Sequence, residues 1–217
     1  MRTTESTSQL GRISWENITL GLSRLKALGT TNRIGSLLCN QGGPGNAASD
    51  WIKGQPSGAP FFTEALIFRF DLIDMGPRGI GTSTPIKCDP APWNGRVTYF
   101  PNTEEEFAAM VTHNKAFGES CLNLTGPLLG IVDTTSVVHD LEVIRLALDE
   151  GKVNYLGISH GSQLGMQYAE LYPVNIRVIA PDGTLTVRNQ RSLITICGMV
   201  HCHIPLRLSS KNITDLL

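Results

Sequence analysis

A serine set between glycines on a tight strand-to-helix turn can be lifted clear of its neighbours and used as a nucleophile. One segment of this chain has the residues for it. Residues 153 to 172 read Val-Asn-Tyr-Leu-Gly-Ile-Ser-His-Gly-Ser-Gln-Leu-Gly-Met-Gln-Tyr-Ala-Glu-Leu-Tyr, a Gly-x-Ser-x-Gly between a β-prone run and a helix-like run. Upstream, Val153 to Ile158 are short and apolar; downstream, Leu164, Tyr168, Leu171 and Tyr172 form a helical stripe that Pro173 ends. Ser159 is therefore the candidate nucleophile.

A hydroxyl needs a base to take its proton, and the tetrahedral oxyanion needs two well-placed donors. The backbone amide of His160, next after the serine, is one donor by position. The second is expected from a glycine-rich loop after an earlier strand, and Gln41-Gly42-Gly43-Pro44-Gly45 is such a loop. The Gly43 amide is the first choice and Gly42 the alternative. No Gly-Lys-Ser/Thr follows, so the loop is not a phosphate-binding P-loop.

The elements that must position these groups alternate. Ile18, Leu20 and Leu22 read as a half-buried strand. Further strands are expected near 35–40, 68–73, 153–158 and 176–180, with helices from Thr103 to Phe117, from Asp133 to Glu150 and from the Ser159 turn to Tyr172. Residues 84–102, rich in Pro, Asn and Gly, are expected as a loop excursion. Strands alternating with helices imply βαβ units and an α/β fold with a mostly parallel sheet flanked by helices. Residues 1–183 carry this pattern, whereas 184–217 form an atypical tail without a clear period.

Composition excludes several classes. The 217 residues are 41% hydrophobic and 17% charged, with a net charge of −1 spread along the chain. Nucleic-acid and membrane partners are therefore not expected. Met1 to Gln9 lack the apolar core of a signal peptide, so the chain as written reads as cytoplasmic, with secretion open if a segment precedes it. The sequons at Asn17, Asn123 and Asn212 would matter only in that second case. Of the five cysteines, Cys88 and Cys121 can bridge in an oxidising compartment, with buried or free thiols as the alternative. Cys197, His201, Cys202 and His203 crowd together without a second ligand pair, so no metal and no cofactor is expected. Gly157, Gly161 and Gly165 are spaced by four, unlike a dinucleotide-binding fingerprint.

Three ordered runs carry a resemblance: Asn-Gln-Gly-Gly-Pro-Gly at 40–45; Phe-Asp-Leu-Ile at 70–73 with Pro-Arg-Gly-Ile-Gly-Thr-Ser-Thr-Pro at 77–85; and Asn-Tyr-Leu-Gly-Ile-Ser-His-Gly-Ser-Gln-Leu-Gly at 154–165. Together they resemble the α/β-hydrolases of the tripeptidyl aminopeptidase and proline iminopeptidase group over about residues 15 to 185. The resemblance implies a serine exopeptidase that acts on short peptides with free N-termini, using Ser159 and the Gly42/Gly43 oxyanion loop. An esterase- or lipase-like acyl hydrolase shares the same elbow. An aspartate-nucleophile enzyme is disfavoured by the serine itself.

The chain departs from that group in three places. His160 stands where the group has an aromatic residue, which leaves the backbone donor intact and changes a pocket-lining side chain. Asp74 precedes Met-Gly-Pro-Arg, whereas the group places its aspartate directly before the proline, so the geometry of that turn is in question. The group's catalytic acid and histidine would fall past Leu217, which implies a fold incomplete at its C-terminal end and a chain of little activity by itself. A local order of Ser159, Asp182 and His201 or His203 is formally present, although Asp182 in Pro-Asp-Gly reads as a turn former. His113 and His139 are expected on helices, as surface or core residues and not as bases.

Overall fold

The structure is a computed structural model that describes residues 3–6, 18–29, 31–46, 52, 62–183, 186–187 and 194–195. The strands are β1 (Thr3–Ser6), β2 (Ile18–Leu25), β3 (Gly35–Asn40), β4 (Phe70–Met75), β5 (Val153–Ile158), β6 (Ile176–Asp182), β7 (Thr186–Val187) and β8 (Ile194–Thr195). The helices are α1 (Glu64–Arg69), α2 (Pro90–Asn94), α3 (Glu104–Thr125), α4 (Thr134–Ala147) and α5 (His160–Leu171). Strands β1 to β6 form one sheet in the order β1-β2-β4-β3-β5-β6. The pairs β4–β3, β3–β5 and β5–β6 are parallel, and β2 runs antiparallel to both β1 and β4.

Every residue of β3 and β4 is buried, as expected for central parallel strands covered on both faces. On one face Leu38, Ile73, Met75 and Tyr155 pack with Val138, Leu141 and Ile144 of α4 and Leu164 and Tyr168 of α5. On the other, Leu37, Cys39, Phe70 and Leu72 pack with Phe62, and Leu66 and Ile67 of α1 border them. Period-2 alternation within β3 thus feeds two cores, Leu38 one way and Leu37 and Cys39 the other.

Strands β3 and β5 occupy their expected residues. Other boundaries differ for physical reasons. The strand expected at 68–73 starts at Phe70, because Phe68 and Arg69 complete α1 and the chain turns extended without an intervening loop. Strand β6 continues past 180 to Asp182, its last residues held opposite Gly157 and Ile158. Asp182, expected as a turn former, is therefore a strand residue. Helix α3 runs to Thr125 instead of stopping near Phe117. The 84–102 excursion contains the short helix α2, capped by the Asp89 side chain. A Cys88–Cys121 disulfide ties that excursion to α3.

Among the described residues, no single helix is long and apolar enough to cross a membrane.

Candidate active site

Ser159 stands at the C-terminal edge of the parallel sheet, exposed, between the last residue of β5 and the first of α5. Its φ of 54° and ψ of −124° lie where side chains are rarely tolerated, at a cost of about 1–3 kcal/mol. Main-chain and buried hydroxyl contacts hold it there. The Ser159 amide donates to the Asp182 carbonyl at 2.8 Å, and the Ser162 amide donates to the Ser159 carbonyl at 2.9 Å. The buried Ser162 hydroxyl lies 2.9 Å from the Gly157 carbonyl and 2.7 Å from that of Asp182, and it accepts from the Asp182 amide at 3.0 Å. From β5, the Tyr155 hydroxyl donates to the Gly161 carbonyl at 2.8 Å. The end of β6 is therefore part of the scaffold of the turn.

The glycine-rich loop lies against this turn. A Cβ on Gly42 would fall 2.4 Å from the Ile158 carbonyl and 2.9 Å from the His160 amide, so only glycine permits the approach. Gly42 has φ 88° and Gly43 has φ 117°, and the Gly43–Pro44 peptide is cis. The structure brings Gly42 against the Ser159–His160 turn at one edge of the sheet, with Gly43 next along the loop. The two glycines differ in their contacts: the Gly42 amide donates to the Asn40 side-chain oxygen at 2.8 Å. The Gly43 and His160 amides meet no acceptor among the described residues.

The half-buried His160 imidazole is pushed below its ordinary pKa by burial, which favours its neutral form. The other described histidines are elsewhere. His139 Nδ1 is 2.6 Å from the hydroxyl of Tyr172, the residue that follows the 12-residue α5 and whose ring lies beside Tyr168 in the last turns of that helix. His113 on α3 packs beneath Gly95, whose Cβ would lie 3.3 Å from its ring. The Asp182 side chain is exposed at the end of β6. His201, His203, Cys197 and Cys202 lie outside the described residues, so the local triad is not drawn by them. Among the described residues no three His, Cys, Asp or Glu side chains group as metal ligands.

Two features resolve the departure at Asp74. Asp74 is fully buried within β4, opposite Cys39 of β3; burial and this neighbouring carboxylate push the Cys39 thiol well up, so that thiol is no nucleophile. Arg78, in the loop after β4, ties that loop to α4. Its Nε and Nη2 each donate to the Asp140 carboxylate at 2.7 Å, and Nη1 donates to the Ile131 carbonyl at 3.0 Å. Both charged groups are dry, so the loop is locked to α4.

Sequence reasoning missed Asn40, Ser162 and Asp140. For Asn40 there was a signal, since Asn two residues before a glycine often caps that residue's amide. For the other two there was none.

These elements, in this order and with this turn, define a hydrolase fold, and the comparison with known proteins agrees. The chain belongs to the alpha/beta hydrolase fold family, whose model matches residues 35–193. It is 32% identical over 174 residues to a tripeptidyl aminopeptidase of Streptomyces coelicolor, covering 78% of this chain and 32% of that protein. It is 35% identical over 171 residues to the serine protease Hip1 of Mycobacterium tuberculosis, covering 76% and 32%. The chain thus spans about a third of the length of these relatives. A solved proline iminopeptidase of Mycobacterium smegmatis matches 80% of this chain and 41% of its own, at 16% identity and a TM-score of 0.41.

Proposed function

We propose that this chain carries the nucleophile of a serine hydrolase, an aminopeptidase-type peptidase that cleaves short peptides from free N-termini. Ser159 is the nucleophile, and the Gly43 and His160 amides form the oxyanion hole. The observation that carries this reading is the left-handed turn at Ser159 on the C-terminal edge of a parallel sheet. Relatives named as a tripeptidyl aminopeptidase and a serine protease favour a peptide substrate.

In this reading the Ser159 oxygen forms a bond to the scissile carbonyl carbon while its proton passes to a general base. The carbonyl π pair moves onto oxygen, where two amides receive it. Collapse breaks the C–N bond, and the leaving amine takes the proton. Water then repeats the sequence on the acyl-enzyme, releasing the acid and restoring the serine. The Cys88–Cys121 bridge supports a working place in an oxidising compartment.

A second reading is a hydrolase-fold protein that binds ligands at Ser159 without turning them over. It is favoured by the distance of His139 from the serine and the packing of His113 under Gly95. Labelling with a fluorophosphonate, located by mass spectrometry, separates the two. A Ser159 adduct that is lost in Ser159→Ala and in a His201 or His203 variant places the base in these 217 residues. An adduct that needs further chain places it elsewhere. Arylamide turnover, at least about 10³-fold lower in Ser159→Ala, supports the peptidase; turnover of esters alone supports an acyl esterase. No adduct under any of these conditions sinks the nucleophile assignment.

A further inference from the structure

Asn40 ends β3 opposite Gly157, and its side chain is buried between the glycine-rich loop and the first turn of α5. Its Oδ1 accepts the Gly42 amide at 2.8 Å. The same oxygen would lie 2.9 Å from a Cβ on Gly161, and the Asn40 carbonyl would lie 2.2 Å from it. One residue therefore touches both parts of the candidate oxyanion site, the loop through Gly42 and the serine turn through Gly161.

That contact decides which amide is available. A buried N–H is almost always paired, and an amide already donating to a carboxamide at good distance is not free to receive a developing negative charge. With Gly42 committed, the next amide along, Gly43, is left without an acceptor among the described residues. The side chain also fixes the left-handed conformation at Gly42, on which the direction of the following peptide depends.

We propose that Asn40 is a positioning residue: its carboxamide binds the Gly42 amide and so makes Gly43 the loop's oxyanion donor. This rests on the serine-hydrolase reading for its chemical consequence, though not for the contact itself. Serine at this position can reach the same amide more weakly through its hydroxyl, whereas alanine cannot.

Two measurements test it on the protein and its Asn40→Ala and Asn40→Ser variants, with melting curves to confirm folding. The first is hydrogen exchange of the Gly42 and Gly43 amides. Gly42 is expected to be protected and Gly43 to exchange fast in the parent, with Gly42 protection lost in Asn40→Ala and partly kept in Asn40→Ser. The second is the rate of Ser159 phosphonylation, expected to fall by about 10- to 100-fold in Asn40→Ala and to recover in part in Asn40→Ser. Where arylamides are turned over, kcat is expected to fall with KM unchanged. A fast-exchanging Gly42 in the parent overturns the contact. A folded Asn40→Ala that labels at the parent rate overturns the positioning role. A Ser159 that does not react even when further chain is supplied, in a protein whose Gly42 is protected only when Asn40 is present, overturns the hydrolase reading and leaves the contact supported.

Discussion

At the N-terminal end of the parallel strands, Asp71 of β4 accepts from Arg24, from Arg33 and from the Ala27 amide, while Glu150 accepts from the Ser36 amide and pairs with Arg33. At the C-terminal end, the Ser159 turn is held by carbonyls, amides and one buried hydroxyl, and the charged contact nearby is the Arg78–Asp140 pair. The arginine–aspartate contacts at the two ends use the same chemistry in different surroundings. Arg24 and Arg33 are 41% and 38% exposed, against 2% for Arg78. One end is clamped by charges that water can reach. The other is clamped by shape, by main-chain hydrogen bonds and by a dry ion pair. The first should yield to acid and tolerate added atoms, and the second should do the reverse.

The largest expected effect tests shape. In Gly161→Ala the new Cβ would meet the Asn40 carbonyl at 2.2 Å, and neither backbone segment can retreat without breaking β3 or α5. A loss of roughly 5 kcal/mol, or failure to fold, is expected in urea titration. A midpoint equal to the parent's would show that the serine end is soft and would end the contrast.

Next comes the dry ion pair. Arg78→Met leaves the Asp140 carboxylate buried without its guanidinium, and about 3–5 kcal/mol of stability should be lost by the same titration. Adding Asp140→Leu should recover a large part of it, because the stranded charge is then gone. A double variant as unstable as the single would mean that the loop needs the hydrogen bond to Ile131 more than the pair.

The smallest effect concerns the wet end. Burial by itself would raise the Asp71 pKa, but the Ala27 amide and the arginines Arg24 and Arg33 outweigh it and bring it down to about 2. A carboxylate with a folded pKa below its unfolded value stabilises above the unfolded value, and that contribution disappears as pH falls through the folded one. About 2 kcal/mol should therefore be present above pH ~4 and lost between pH ~4 and ~2. In Asp71→Asn that part of the acid dependence should vanish. An unchanged acid limb in the variant would assign the slope to other carboxylates.

Much of the serine end was legible in the sequence because its determinants are local. The Gly-x-Ser-x-Gly spacing, the β-prone Val153 run and the stripe of α5 lie within twenty consecutive residues, and the glycine-rich loop is recognisable from composition alone. What was not legible depends on distant partners. Glu64-Ala-Leu-Ile-Phe-Arg followed by Phe-Asp-Leu-Ile has no glycine or proline between helix and strand, so its apolar run fits either period. Pro181 and Asp182 look like a turn until β5 holds them in register. Arg78 and Asp140 are separated by sixty-two positions, and nothing near either one names the other.

The backbone at Ser159 has a consequence for how such a chain is kept through descent. Its φ of 54° and ψ of −124° suit glycine far better than serine, so stability and reactivity pull in opposite directions at this one position. Drift judged by folding alone would erase the hydroxyl and relax the turn. A serine there, against the preference of its own main chain, is a residue whose hydroxyl the persistence of the fold does not ask for.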